Sequence, residues 1–129
     1  MKKIVAFIGL LSITFFAICQ NKDNIQTRIP DYNEKDTIKL DDLLSRKDIF
    51  ICNKNYPVLS FVLVYKYGNN DYMMISKSNY LTEDMKTRLV KFKSMNIAFL
   101  NLSFKAITVR TPQMEEIKTG PLKYILKIK

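Results

Sequence analysis

The side chains best suited to acid–base or calcium chemistry are three adjacent carboxylate pairs, Asp41-Asp42, Glu83-Asp84 and Glu115-Glu116. Neighbouring carboxylates can share a proton or hold a hard cation. Each pair also has a local explanation: a turn, a helix N-terminus where the dipole favours negative charge, and a loop. Histidine is absent, which removes the usual general base of a nucleophilic triad and the commonest metal ligand. No serine is followed by lysine at the third position, the spacing of serine–lysine acyl enzymes. Glycine occurs only at 9, 68 and 120, so no glycine-rich phosphate loop is present. Cys52 follows Ile49-Phe50-Ile51 and is expected to be a small buried apolar residue. The expectation is a protein with no enzymatic activity, no catalytic residues, no cofactor and no metal.

Contact chemistry is better supplied. Tyr56, Tyr65, Tyr67, Tyr72 and Tyr80 gather around one predicted hairpin, and tyrosine offers large contact area at low entropic cost. The competing reading is that most of them edge the core, as Met73, Met74, Met85 and Met95 are expected to do. The residues expected to bind a partner are Tyr65, Tyr67, Asn69, Asn70 and Tyr72 on the hairpin, with Lys86 and Arg88 on a basic helix face. Net charge is +9, but the lysines are scattered singly, and a chain exported as its N-terminus implies rarely meets nucleic acid. Peripheral contact with anionic lipid or glycan surfaces is the remaining electrostatic consequence. Much of the charge would simply be a solvated face.

The elements that must position these residues begin after a targeting segment. Met1-Lys2-Lys3, an apolar run from Ile4 to Ile18 and a break at Gln20-Asn21-Lys22-Asp23 form a secretory signal peptide over 1–19. The run is shorter than the ~20 apolar residues of a spanning helix. Ala17-Ile18-Cys19 suits cleavage before Gln20, giving a soluble protein. Lipidation at Cys19 is the less favoured alternative, because Ile18 is large where a small residue is wanted. Residues 20–37 are polar, carry Pro30 and show no period, and are expected to form a flexible tether.

Residues 38–129 should then form one β-rich domain. Asp41 to Leu44 can make a short helical turn, and Ile49 to Cys52 a short strand. In Val58 to Tyr67 the residues Leu59, Phe61, Leu63, Tyr65 and Tyr67 alternate with Val58, Ser60, Val62, Val64 and Lys66. Both sets are apolar through the middle, so this strand is expected to be covered on both faces. Gly68 to Asp71 turns the chain and Tyr72 to Ile75 returns it. Thr82 can cap a helix over about 82–94, with Met85, Leu89 and Phe92 on one side and Lys86, Arg88, Lys91 and Lys93 on the other. Asn96 to Val109 reads as one long strand or two broken near Asn101, with Ala98, Leu100, Leu102, Phe104 and Ala106 inward. Pro112-Gln113 is a turn, and the final strand points Leu122, Tyr124, Leu126 and Ile128 inward. The class is α+β, mostly β.

The stretch "YPVLSFVLVYKYGNNDYMMISKSNYLTEDMKTRLVKFKSMNIAFLNLSFKAI" resembles the C-terminal domain of GldM, a periplasmic gliding-motility and type IX secretion protein of Bacteroidetes. The likeness runs over about 45–129. It consists of Val58-Leu59-Ser60-Phe61, the hairpin, Ser76 to Asn79, the Leu81-Thr82 helix start, the Ile97 to Leu102 strand, the turn at Pro112 and the last strand. The pattern departs from the family at Ser94-Met95-Asn96, where a glycine is usual, and at Pro112-Gln113-Met114, where Pro-Asp-Gly is usual. The family's membrane-spanning motor helix and other periplasmic domains are missing. The resemblance implies an exported protein-binding domain in the periplasm or at the cell surface, with an envelope protein as partner. Self-association is compatible with it. The expected fold is an Ig-like β-sandwich type with one amphipathic helix. The alternative function is a module that binds anionic glycan or lipid through its basic face.

Overall fold

The computed structural model describes residues 24–129. The expected signal peptide, its expected junction at Cys19 and the first residues of the expected tether lie outside the described residues.

The order of elements is β1 (Thr27–Arg28), β2 (Thr37–Lys39), α1 (Leu40–Ser45), β3 (Ile51–Cys52), β4 (Val58–Tyr67), β5 (Asn70–Ser76), α2 (Glu83–Ser94), β6 (Phe99–Arg110), β7 (Glu116–Thr119) and β8 (Leu122–Lys127). The class is α+β and mostly β. The main sheet runs β2-β8-β6-β4-β5, with β7 also paired to β6, while β1 and β3 form a separate two-stranded ribbon. Only β2, which is parallel to β8, departs from antiparallel pairing in the main sheet.

Alternation along the strands selects the buried face. Phe61, Leu63 and Tyr65 of β4, Leu100, Leu102 and Phe104 of β6, and Tyr124 and Leu126 of β8 all enter the core. Phe50, Phe61 and Phe104 meet edge to face at its centre, with ring centroids 5.1 to 5.8 Å apart, the geometry that aromatic quadrupoles favour. α2 covers this face with Met85, Leu89 and Phe92, all buried. Burying each such side chain is worth about 1.5–3 kcal/mol. Thr82 accepts the Met85 N–H at 3.1 Å and so caps the helix. At the hairpin, Tyr67 pairs with Asn70, leaving Gly68 and Asn69 as the loop. Gly68 has φ 63°, the positive value that the first central residue of a type II′ turn needs.

Three expectations are corrected. β4 is covered on one face only: Val62 and Val64 are half-buried, and the β5 residues beside them are open to solvent. Residues 24–37 do not hang as a tether. Ile25, Thr27 and Ile29 alternate inward and are buried. Asn53 ties this segment down, accepting the Gln26 N–H at 2.9 Å and donating to the Asn24 C=O at 2.7 Å through its side chain. Finally, the long strand β6 is irregular at Ala106 rather than at Asn101. Ala106 has φ 49°, and beyond it the inward set shifts phase, so that Ile107 and Val109 are buried while Ala98 is exposed. β7 and β8 nevertheless continue one register along β6, since Phe104 faces Leu122 and Ile107 faces Thr119. Gly120, with φ 92°, fills the position opposite Ala106.

Candidate binding surfaces

The end of the β4–β5 hairpin leans over α2. Tyr72 stacks on Tyr65 with centroids 5.1 Å apart, Tyr65 meets Phe92 edge to face at 5.6 Å, and Tyr67 lies 5.4 Å from the same ring. Between hairpin and helix runs a cleft of about 390 Å³, lined by Tyr67, Tyr72, Arg88, Lys91, Phe92 and Met95 among others. Tyr67, Tyr72 and Arg88, expected as partner-binding residues, are therefore brought together.

Tyr65 joins them only as the floor of the cleft, and the remaining expected residues fall elsewhere. Tyr65 is 4% exposed, so it supports the cleft from within the core. Burial also pushes its phenol pKa up. Asn69 and Asn70 are exposed at the hairpin tip. Lys86 sits 3.7 Å from Glu83. Arg88 lies 3.5 Å from Asp84 and Lys93 2.9 Å from Asp41 of α1, so much of the basic side of α2 is matched by nearby carboxylates.

The opposite side of the sheet bears no helix or strand layer among the described residues. Its outward positions include Val62 beside Ile75 and Val64 beside Met73 on β4 and β5, with Ile125 on β8 across from Asn101. Met73 and Ile75 are 68% and 62% exposed, and Phe99 is 57% exposed. Around these apolar side chains stand Lys39, Lys66, Lys105, Lys123 and Lys127, all exposed. Asp71 is the carboxylate among the same outward positions. None of the five lysines makes an ion pair among the described residues. Sequence reasoning placed some of these residues outward without joining them into a surface. The signal was there in the polar-out lysines of β8 and in the second apolar set of β4.

The carboxylate pairs stay apart. Asp41 and Asp42 lie on α1, Glu83 and Asp84 open α2, and Glu116 starts β7 opposite Arg110. Asp42 accepts hydrogen bonds from the Tyr32 hydroxyl and, at 3.2 Å, from Arg46. The Tyr32 hydrogen bond is the main cause holding its carboxyl below the usual range. Among the described residues no group of three or more His, Cys, Asp or Glu side chains could hold a metal ion. No described helix is long and apolar enough to cross a membrane.

No protein-family model matches this chain, and no solved structure matches it. A stretch of 70 residues, 53% of the chain, is 33% identical to an aminomethyltransferase of Caldanaerobacter subterraneus subsp. tengcongensis. That stretch corresponds to 19% of the enzyme, so the chain spans about a fifth of the curated relative it matches.

Proposed function

We propose that this chain is an exported, non-enzymatic protein-interaction domain of a Bacteroidetes-type cell envelope, acting beside gliding-motility or type IX secretion components. The sequence resemblance to the GldM C-terminal domain supplies the setting. The observation that carries the reading is the cleft in which Tyr67, Tyr72, Arg88 and Met95 share one concave surface. Tyr, Arg and Met are the residue types enriched where protein partners dock. An Ig-like ancestry belongs to the same proposal. The antiparallel order β8-β6-β4-β5 speaks for it. So does the β1–β3 ribbon, whose Cys52 packs with Ile25 and Val109, as a reduced second sheet.

The test is Tyr67→Ala combined with Tyr72→Ala in the protein used as bait on crosslinked Bacteroidetes envelope extract. The wild type retains a specific envelope protein, and the double variant loses it while keeping its circular dichroism spectrum. Unchanged capture by a folded double variant would overturn the reading.

A further inference from the structure

We propose that the bare face of the sheet is a docking surface for an acidic amphipathic helix of a partner protein. It lies on the other side of the sheet from the Tyr67 cleft and stands independently of the function proposed above. A sheet normally buries an apolar face against another layer. Here α2 supplies that layer on one side only, and the second side still presents Val62, Val64, Met73 and Ile75 as two adjoining cross-strand pairs. Contiguous exposed apolar surface rimmed by polar residues marks interaction sites in soluble proteins.

Charge selects the occupant. Lys66 faces Asp71 across the β4–β5 pairing, but Lys105, Lys123 and Lys127 face no carboxylate in the sheet register. Among the described residues no lysine of this face lies within 4 Å of a carboxylate, whereas the basic residues of α2 have carboxylates within 4 Å at Lys86, Arg88 and Lys93. An incoming segment bearing carboxylates gains attraction here that the helix surface has already satisfied internally. A second copy of this chain docking face to face would bring Lys105 and Lys123 against their own like charges.

Shape argues for a polypeptide over a bilayer. Beside the apolar pairs runs a shallow groove of about 490 Å³ lined by Val64, Lys66, Ser103, Lys123 and Ile125 among others. On β6 between Val64 and Lys123, the Ser103 hydroxyl is buried without a hydrogen-bond partner. An inserted partner side chain can fill the groove above it. An apolar stripe on the partner helix would cover Val62, Val64, Met73 and Ile75, with its flanking carboxylates near Lys66, Lys105 and Lys123.

The experiment uses a fluorescein-labelled helical peptide with a leucine stripe and glutamates elsewhere, and a control in which lysines replace the glutamates. The acidic peptide should bind the protein, and Lys105→Glu with Lys123→Glu should weaken it by about tenfold or more. Met73→Gln with Ile75→Thr should also weaken it, while Tyr67→Ala should not. Methyl resonances of Val62, Val64 and Ile75 should shift on binding. Absence of binding, equal binding of the lysine peptide, or an affinity indifferent to both pairs of substitutions overturns the proposal. So does capture by phosphatidylglycerol vesicles without peptide binding, or a dimer in sedimentation that buries this face.

Discussion

The side-chain amide of Asn79 pairs with both backbone groups of Phe50, accepting its N–H at 3.0 Å and donating to its C=O at 2.8 Å. The Asn79 carbonyl also accepts the Ile49 N–H at 2.8 Å. One loop residue thus takes the place of a neighbouring strand for the segment that delivers the Phe50 ring to the core. The Ser76–Asn79 stretch that helps carry the GldM resemblance therefore has a structural task here. Ser76 assists by donating to the Tyr80 C=O at 2.8 Å.

Asn79→Ala should destabilise the domain by about 1–3 kcal/mol, because two buried backbone groups of Phe50 lose their partners. The denaturant midpoint should fall with the slope unchanged. Asn79→Asp should be about as costly, since it keeps the acceptor and loses the donor.

Tyr65 and Tyr67 should part company under alanine substitution. Tyr65 is 4% exposed and packs on Tyr72 and Phe92, so its loss should cost about 3 kcal/mol or more through the cavity it leaves. Tyr67 is 38% exposed, so its loss should cost about 1 kcal/mol. Thermal unfolding of the two single variants measures the difference.

Ala106 and Gly120 face each other across the β6–β7/β8 pairing, both with positive φ. Gly120→Ala would set a Cβ 3.2 Å from the Phe104 carbonyl oxygen. With the left-handed backbone this should cost more than about 1 kcal/mol. Ala106→Gly should be neutral or stabilising, because glycine adopts that conformation without steric penalty. Urea unfolding of both variants checks the opposite signs.

The Tyr32–Asp42 hydrogen bond gives a pH dependence with a definite sign. Asp42 titrates lower in the folded chain, chiefly through the Tyr32 hydrogen bond. Its contribution is therefore present above the unfolded carboxyl pKa and is lost as pH falls through the folded one. Tyr32 is shifted upward, chiefly by the same bond, so its contribution is lost only as pH rises through the alkaline folded phenol pKa. The Asp42 side chain is 37% exposed, which limits the effect to under about 1 kcal/mol. Tyr32→Phe should lower stability at neutral pH and converge with wild type in strong acid.

Helix α2 was legible because Met85, Leu89 and Phe92 keep one helical stripe behind a capping threonine. The hairpin and β8 were legible because their alternation is local and the turn carries glycine. Residues 24–37 were not, although Ile25, Thr27 and Ile29 do alternate. What holds them is the distant side chain of Asn53, and no local pattern announces that. The phase shift in β6 was hidden for a related reason: alanine at positive φ leaves no signature, and its counterpart Gly120 is far along the chain. The cleft was partly legible, through Tyr67, Tyr72 and Arg88. The bare face was not, because an apolar set on the second side of a strand reads equally well as a covered one.

The parallel pairing of β2 with β8 joins one of the first described strands to the last. Ile38 cannot be seated beside Leu126 until the 87 residues between them have been brought into place. β6, which pairs with β4, β7 and β8, likewise finds two of its partners only then. The sheet is thus closed late and from both ends at once, a high-contact-order arrangement that slows folding. Until β8 is in place, β2 has no partner in the main sheet and the first half of β6 is paired on one side only.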